Sequence, residues 1–356
     1  MHSLSQVYKD HPVTLHHPLM DLNTMEEVPE SYVWPPFDDY LDDETAKNSS
    51  IPIISLSEPS LDVLNQISSA CEDWGMFQVV NHGVSSQLLS EMESLGNRLF
   101  SLPMKQKIKA LRAPDGISGY GLARISPFFS KLMWFEGFTI AESPLEHVRC
   151  LMPDDYEHFC SIVQEYEHEM EHLARRLMEL ILTSLGLNKN DVKWARNGFE
   201  SMHGVLQLNY YPLCPQPSNA MGLAAHTDSS LLTLLYQTST QGLQIMKERH
   251  WVNVPPVPSA IVINVGDLLH ILSNGRFSSP LHRVLVSRAQ HRFSFAHFWG
   301  PTSETSIYPH PKLLSLQSPP LYQSITWADY LRLKAKLFNR ALSSLLLSDG
   351  IPATNQ

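Results

Sequence analysis

From about residue 203 onward the chain turns into short β-rich runs cut at close intervals by Pro, Gly, Asn and Asp: VLQLNYYP, SLLTLLYQ, GLQIM, WVNVPP, AIVINVGDLL, LHRVLVS and HRFSFAHFW. Runs this short cannot bury an apolar face alone, so they must pair into sheets that pack on one another. Their number and spacing predict a β-sandwich or closed barrel flattened into two sheets, a jelly roll.

Helical periodicity frames this core. Leu61, Leu64, Ile67, Ala70 and Trp74 recur at helical spacing between two strand-like runs, IPIISLS (Ile51 to Ser57) and MFQVVNHG (Met76 to Gly83). Further helices are expected from Ser85 to Phe100, from about Tyr156 to Leu185 with Gly186 ending it, and from Thr326 to Leu347. Residues 116–140, GISGYGLARISPFFSKLMWFEGFTI, have no clean period and read as a loop-rich, aromatic wall. The expected organisation is an extended lead-in over 1–50, an N-terminal region of helices and strands over 51–150, and a long supporting helix with its connection over 151–200. A β core over 201–305 and a C-terminal segment with a helix over 306–356 complete it. The fold class is β-rich mixed α/β.

A hydrophobic fraction of 43% and a charged fraction of 17% are those of a globular protein, and 356 residues suffice for one large domain. The formal charge of −10 gives no electrostatic reason to expect nucleic acid or an anionic membrane as partner. Cys71, Cys150, Cys160 and Cys214 form no C-x-x-C pair and read as free thiols of a reducing compartment. The N-terminus lacks a basic start followed by an apolar core, and no stretch approaches the ~18 apolar residues of a membrane span. A cytoplasmic monomer without nucleic-acid or membrane partners is therefore expected.

His226-Thr227-Asp228 sets two metal-capable side chains at i and i+2, on one face of an extended segment. His282 opens LHRVLVS more than fifty residues later, a separation that crosses several strands. Two imidazoles and a carboxylate make the facial triad of non-haem iron(II) oxygenases, which leaves three adjacent positions open for a chelating 2-oxo acid and dioxygen. In HRFSFAHF, Arg292, Ser294, Ala296 and Phe298 share one face, and Phe293, Phe295 and His297 the other. If the first face points inward, Arg292 is a buried guanidinium that needs an anion, with Ser294 as an added donor. Other readings stay open here: a turn Asp beside a surface His, or an Arg on an edge strand facing water. A hydrolytic zinc site would need a general base, and no H-E-x-x-H motif is present. A metal-free jelly-roll binding protein would leave the triad and Arg292 without a purpose.

The ordered set NYYPLCP (from Asn209), HTD (from His226), GLQ (from Gly242), VINVGD (from Val262), HRV (from His282) and RFS (from Arg292) closely resembles the plant 2-oxoglutarate-dependent dioxygenases. WGMFQVVNHGV (Trp74 to Val84) resembles their N-terminal region, and the likeness runs from about Ile51 to Leu347. The resemblance implies a double-stranded β-helix flanked by helices, Fe(II) held by His226, Asp228 and His282, and 2-oxoglutarate held by Asn209, Tyr211, Arg292 and Ser294. Dioxygen would be consumed, succinate and carbon dioxide released, and ascorbate would serve as reductant.

Within that family SGYGLARISPFF, MWFEGFTIAESP, AMGLAAHTDSSLLTLLYQ and GDLLHILSNG are most similar to gibberellin 3-beta-dioxygenases, which add a 3β-hydroxyl to a C19 gibberellin. A gibberellin 2-oxidase and a flavonoid-type dioxygenase are the alternatives. Two positions depart from the subfamily pattern: Phe135 in Trp134-Phe135-Glu136, where Trp-Ser-Glu is usual, and His297, where an aromatic is usual. A polycyclic acid needs flat apolar walls and a cation, for which Tyr120, Arg124, Phe128, Trp134 and Phe298 are the candidates.

Overall fold

The computed structural model describes residues 9, 12, 19–36, 50–58, 60–141, 143–200 and 202–347; the expectations for the rest of the lead-in and for the end of the chain lie outside them. Strand β1 (Ile53–Ser55) leads to helix α1 (Leu61–Asp73), whose first turn is closed by the Ser60 hydroxyl accepting from Val63 N. The chain continues through β2 (Met76–Val80), α2 (Ser86–Phe100, capped by Ser85), the short α3 (Met104–Lys107), β3 (Gly119–Gly121), β4 (Glu136–Ile140) and α4 (Leu145–Leu151). The long α5 (Tyr156–Ser184) stops where Gly186 takes a φ of +74°, as its sequence signal required.

The β core then supplies β5 (His203–Tyr211), β6 (Met221–His226), β7 (Leu232–Gln237), β8 (Leu243–Lys247), β9 (His250–Asn253) and β10 (Ile261–Val265). After α6 (Asp267–Leu272) come β11 (His282–Leu285), β12 (Arg292–Gly300), the short pair β13 (Ser306–Ile307) and β14 (Ile325–Thr326), and α7 (Trp327–Leu337).

These strands form an eight-stranded sheet, in the order β1-β2-β10-β7-β12-β5-β4-β3, and a four-stranded sheet, β6-β11-β8-β9. One apolar cluster draws Tyr211, Leu235, Val262 and Ala296 from the large sheet and Met221, Ile245, Val252 and Val284 from the small one, so the two sheets face each other across it. The opposite face of the large sheet carries Leu208, Leu234, Phe293 and Phe295 into a second cluster with α1, α2 and α5. This is the double-stranded β-helix with its helical layer. Strand alternation on β12 holds as read: Ala296 and Phe298 belong to the space between the sheets, Phe293 and Phe295 to the helical side.

Two local expectations are corrected. Residues 116–140 contain β3 and β4, which extend the large sheet through the pairing of β4 with β5; every residue of both strands is buried, so no alternation marks them. The C-terminal helix ends at Leu337, because Phe338 adopts a φ of +51°, and the chain goes on in two 3-10 turns. The four cysteines are free, and no helix among the described residues is long and apolar enough to cross a membrane.

Candidate active site

Strand β6 ends on His226 and pairs antiparallel with β11 so that His226 stands opposite His282, their rings 4.3 Å apart. Asp228 follows two residues beyond β6, held by Asn264 of β10 in the facing sheet, whose Nδ2 donates to Asp228 Oδ2 at 3.1 Å. His226 Nδ1 lies 2.8 Å from the Ala224 carbonyl, and His282 Nδ1 3.1 Å from the Pro280 carbonyl. A carbonyl only accepts, so each Nδ1 carries the proton and each Nε2 offers its lone pair. Those two lone pairs face Asp228 Oδ1 at 3.8 and 3.7 Å, too far for hydrogen bonds and close enough to converge on one ion. This is the one such group of three among the described residues, its ligand atoms all within 4.8 Å of one another.

The electrostatics suit a cation. Burial, followed by the neighbouring His282, pushes His226 down to about 3, so its imidazole is neutral at physiological pH. Burial alone would raise the Asp228 carboxyl, but His282, His226 and the bonds from Asn264 and Thr233 outweigh it, and the group sits below its ordinary range. A neutral imidazole at His226, a second imidazole at His282 whose Nδ1 is turned to a carbonyl, and an ionised carboxylate give the two-nitrogen, one-oxygen donor set that suits a divalent first-row metal, so the residues present fit iron.

A second polar cluster lies on the inner face of the large sheet. Register pairs Arg292 with Tyr211, and Ser294 with Asn209 on one side and Gln237 on the other. The Arg292 guanidinium donates to Ser294 Oγ at 3.1 Å and to Gln237 Oε1 at 3.0 Å, and stacks 5.2 Å from the Tyr211 ring. Asn209 Nδ2 donates to the same Ser294 hydroxyl at 3.4 Å. Arg292 is 2% exposed, its Nε has no hydrogen-bond partner, and among the described residues no carboxylate lies within 4 Å of it. The arrangement is a buried cation presenting donors to an anion that the fold itself does not supply. Gly242 of the GLQ motif lets the stem of Arg292 pass, since a Cβ there would lie 3.2 Å from Arg292 Cδ and 2.7 Å from the Leu285 carbonyl oxygen. Gln237 was missed by sequence reasoning; as the polar end of the apolar LTLLYQ, in register with Ser294, it carried a readable signal.

The remaining candidates are dispersed. Phe298 is half-buried on the Arg292 face of β12. The segment between β3 and β4 runs beside β6: Ala224 N donates to Met133 Sδ at 3.3 Å, and Trp134 N to the Met221 carbonyl at 2.8 Å. Within it Phe128, 37% exposed, stacks on Phe338 at 4.7 Å, and Arg124 Nη2 donates to the Gly116 carbonyl. Trp134 is fully buried, edge-on to Tyr32, with its indole N donating to the Leu213 carbonyl. Tyr120 is placed apart, in the helical-side cluster, its hydroxyl donating to Glu136 at 2.8 Å beside the buried Lys107–Glu136 ion pair. Of the two departures, Phe135 packs 5.6 Å from Tyr211, next to the Arg292 cluster. His297 points to the helical side, where the Cβ of a residue at Gly204 would fall 2.2 Å from its ring.

The family comparisons agree with this geometry. The profile of the 2OG-Fe(II) oxygenase superfamily matches residues 202–301, and that of the N-terminal region of non-haem dioxygenases in morphine synthesis matches 51–157. Gibberellin 3-beta-dioxygenase 1 of Pisum sativum is 52% identical over 99% of this chain and 96% of its own length. The chain belongs to the 2OG-Fe(II) oxygenase superfamily. This oxygenase is also similar to gibberellin 3-beta-dioxygenase 1 of Arabidopsis thaliana, at 49% identity over 96% of the chain and 97% of the relative. Among solved structures, JOX2 in complex with 2OG, Fe and JA superposes with a TM-score of 0.80 at 30% identity, covering 93% of this chain and 98% of that one. The dioxygenase for auxin oxidation in rice gives 0.69 at 25% identity, over 84% of the oxygenase and all of the neighbour.

Proposed function

We propose that this oxygenase hydroxylates a C19 gibberellin at the 3β position, giving the bioactive hormone, while 2-oxoglutarate is decarboxylated to succinate and carbon dioxide. The observation that carries the reading is the end-to-end likeness, at 52% identity, to a gibberellin 3-beta-dioxygenase. In this reading His226, Asp228 and His282 hold Fe(II), which when bound supplies the oxygen-activating chemistry. Arg292 grips the far carboxylate of 2-oxoglutarate through its fork, Ser294 adds a hydroxyl, and Gln237 holds the guanidinium in place. Asn209 and Tyr211 line the path between that carboxylate and the metal.

On the substrate side, Phe298 and Phe128 offer apolar faces and Arg124 the cation for the gibberellin carboxylate. Trp134 and Tyr120 act from behind, fixing the segment that carries Arg124 and Phe128. The test is to incubate the purified chain with a panel of labelled C19 gibberellins, Fe(II), 2-oxoglutarate and ascorbate, and to identify products by mass spectrometry. A 3β-hydroxylated product is expected. A 2β-hydroxylated product alone, or turnover of flavonoids with none of gibberellins, would reject the assignment.

A further inference from the structure

We propose that Asp267 and Lys334 are positioning residues of the iron site, so that helix α7, remote in sequence from every ligand, is a working part of the metal centre. Asp267 closes the VINVGD motif and is wholly buried. Its Oδ2 accepts from Thr227 Oγ1 at 2.9 Å, Tyr330 OH at 2.7 Å and Lys334 Nζ at 2.6 Å, and its Oδ1 accepts from Ser279 Oγ at 2.6 Å. Its backbone N–H donates to the Asp228 carbonyl at 2.8 Å.

Lys334 spends all three of its donors here: on Asp267, on the Thr227 carbonyl at 2.6 Å and on the Thr227 hydroxyl at 2.7 Å. Thr227 is the single residue between ligands His226 and Asp228, and it lies beyond the end of β6, where no strand partner holds it. Just past α7, Asn339 Nδ2 donates to the carbonyl of Ala225, on the other side of His226, at 3.1 Å. Toward the third ligand, Ser279 precedes Pro280, whose carbonyl orients the His282 ring.

One buried carboxylate thus ties together the backbone on which all three ligands stand, and one lysine locks the peptide between two of them. Outer partners of this kind fix the ligands before the metal arrives, so losing one weakens binding without removing a donor. Tyr330 and Lys334, four residues apart on one face of α7, deliver both contacts from the same helix.

The inference rests on reading the triad as the iron site. It is tested by stripping the full chain of metal, titrating it with Co(II) alone, and following the melting temperature in parallel. Lys334→Met should weaken Co(II) binding by roughly 10- to 100-fold, and Lys334→Arg should recover part of it. Thr227→Val, which removes one hydroxyl and serves even if Lys334→Met does not fold, should weaken it in the same direction by less. The control is Lys107→Met, which breaks a buried ion pair away from the triad (side chains 1% and 3% exposed) and should lower the melting temperature while leaving Co(II) affinity unchanged. Wild-type affinity in both Lys334→Met and Thr227→Val, or an equal loss in Lys107→Met, would overturn the proposal. A wild-type chain that binds no Co(II) would instead refute the reading of the triad.

Discussion

A guanidinium shut away from water without a carboxylate beside it is costly to keep, and burial already lowers the proton affinity of Arg292. The cost is offset when an anion docks, and in the proposed reading that anion is the far carboxylate of 2-oxoglutarate. Replacing it should remove about 2 to 4 kcal/mol of binding, or roughly 30- to 700-fold in 2-oxoglutarate affinity for Arg292→Gln, with metal affinity unchanged. Lys keeps the charge and loses the fork, so Arg292→Lys should fall between; binding isotherms for the three proteins check the order. His297 supplies a second test. Buried with neither ring nitrogen bonded, it is pushed down to about 4. The folded form therefore resists protonation that the unfolded form accepts. Stability from this group is whole above its ordinary 6.5 and is lost as pH falls toward 4, about 2 kcal/mol between pH 7 and pH 5. His297→Phe should reduce the pH dependence of urea unfolding of the metal-free chain by about that amount, His226 still contributing its own, and an unchanged slope would place it elsewhere. Both residues were legible because a strand has period two: fixing Arg292 inward fixes His297 outward. That assignment also moves the His297 departure away from the inner face of the barrel, and leaves Phe135 as the one beside Tyr211.

At the scale of elements, what could be read followed what the physics writes into local sequence. Helices α1, α2 and α5 each bury one stripe, and their ends carry Ser60, Ser85 and Gly186, so period and punctuation agreed. Strands β3 and β4 are covered on both faces, which erases alternation and made them look like loop. The stop of α7 at Phe338 had no glycine to announce it, because there the tertiary packing of Phe338 on Phe128 and Phe129 decides the turn. Gly75 shows the converse, a connection the sequence does mark. It turns α1 into β2 at a φ of +65°, and a Cβ there would lie 2.1 Å from the Ser278 carbonyl oxygen, which is backbone and cannot swing aside. Gly75→Ala should therefore cost at least about 2 kcal/mol, seen as a lower midpoint in denaturant, whereas an unshifted midpoint would mean the junction relaxes freely.

Across the whole molecule, the site exists only because distant segments meet. His226 and His282 share a ladder of the small sheet, Asp228 is steadied from the large one, and Arg292 lies on a third strand pair. No single motif declares this, and the order of the motifs along the chain does. The lead-in was harder to read: Leu22 and Tyr32 are buried, and Tyr32 meets Trp134 edge-on, yet apolar residues so spaced have no period to betray them. In the proposed reaction one dioxygen molecule is divided between two products at a single buried centre. Turnover of a C19 gibberellin with 2-oxoglutarate under isotopically labelled dioxygen tests this most directly. One labelled atom should appear in the new 3β-hydroxyl and one in succinate, in equal amounts; a hydroxyl oxygen drawn wholly from water, or product formed without succinate, would contradict it.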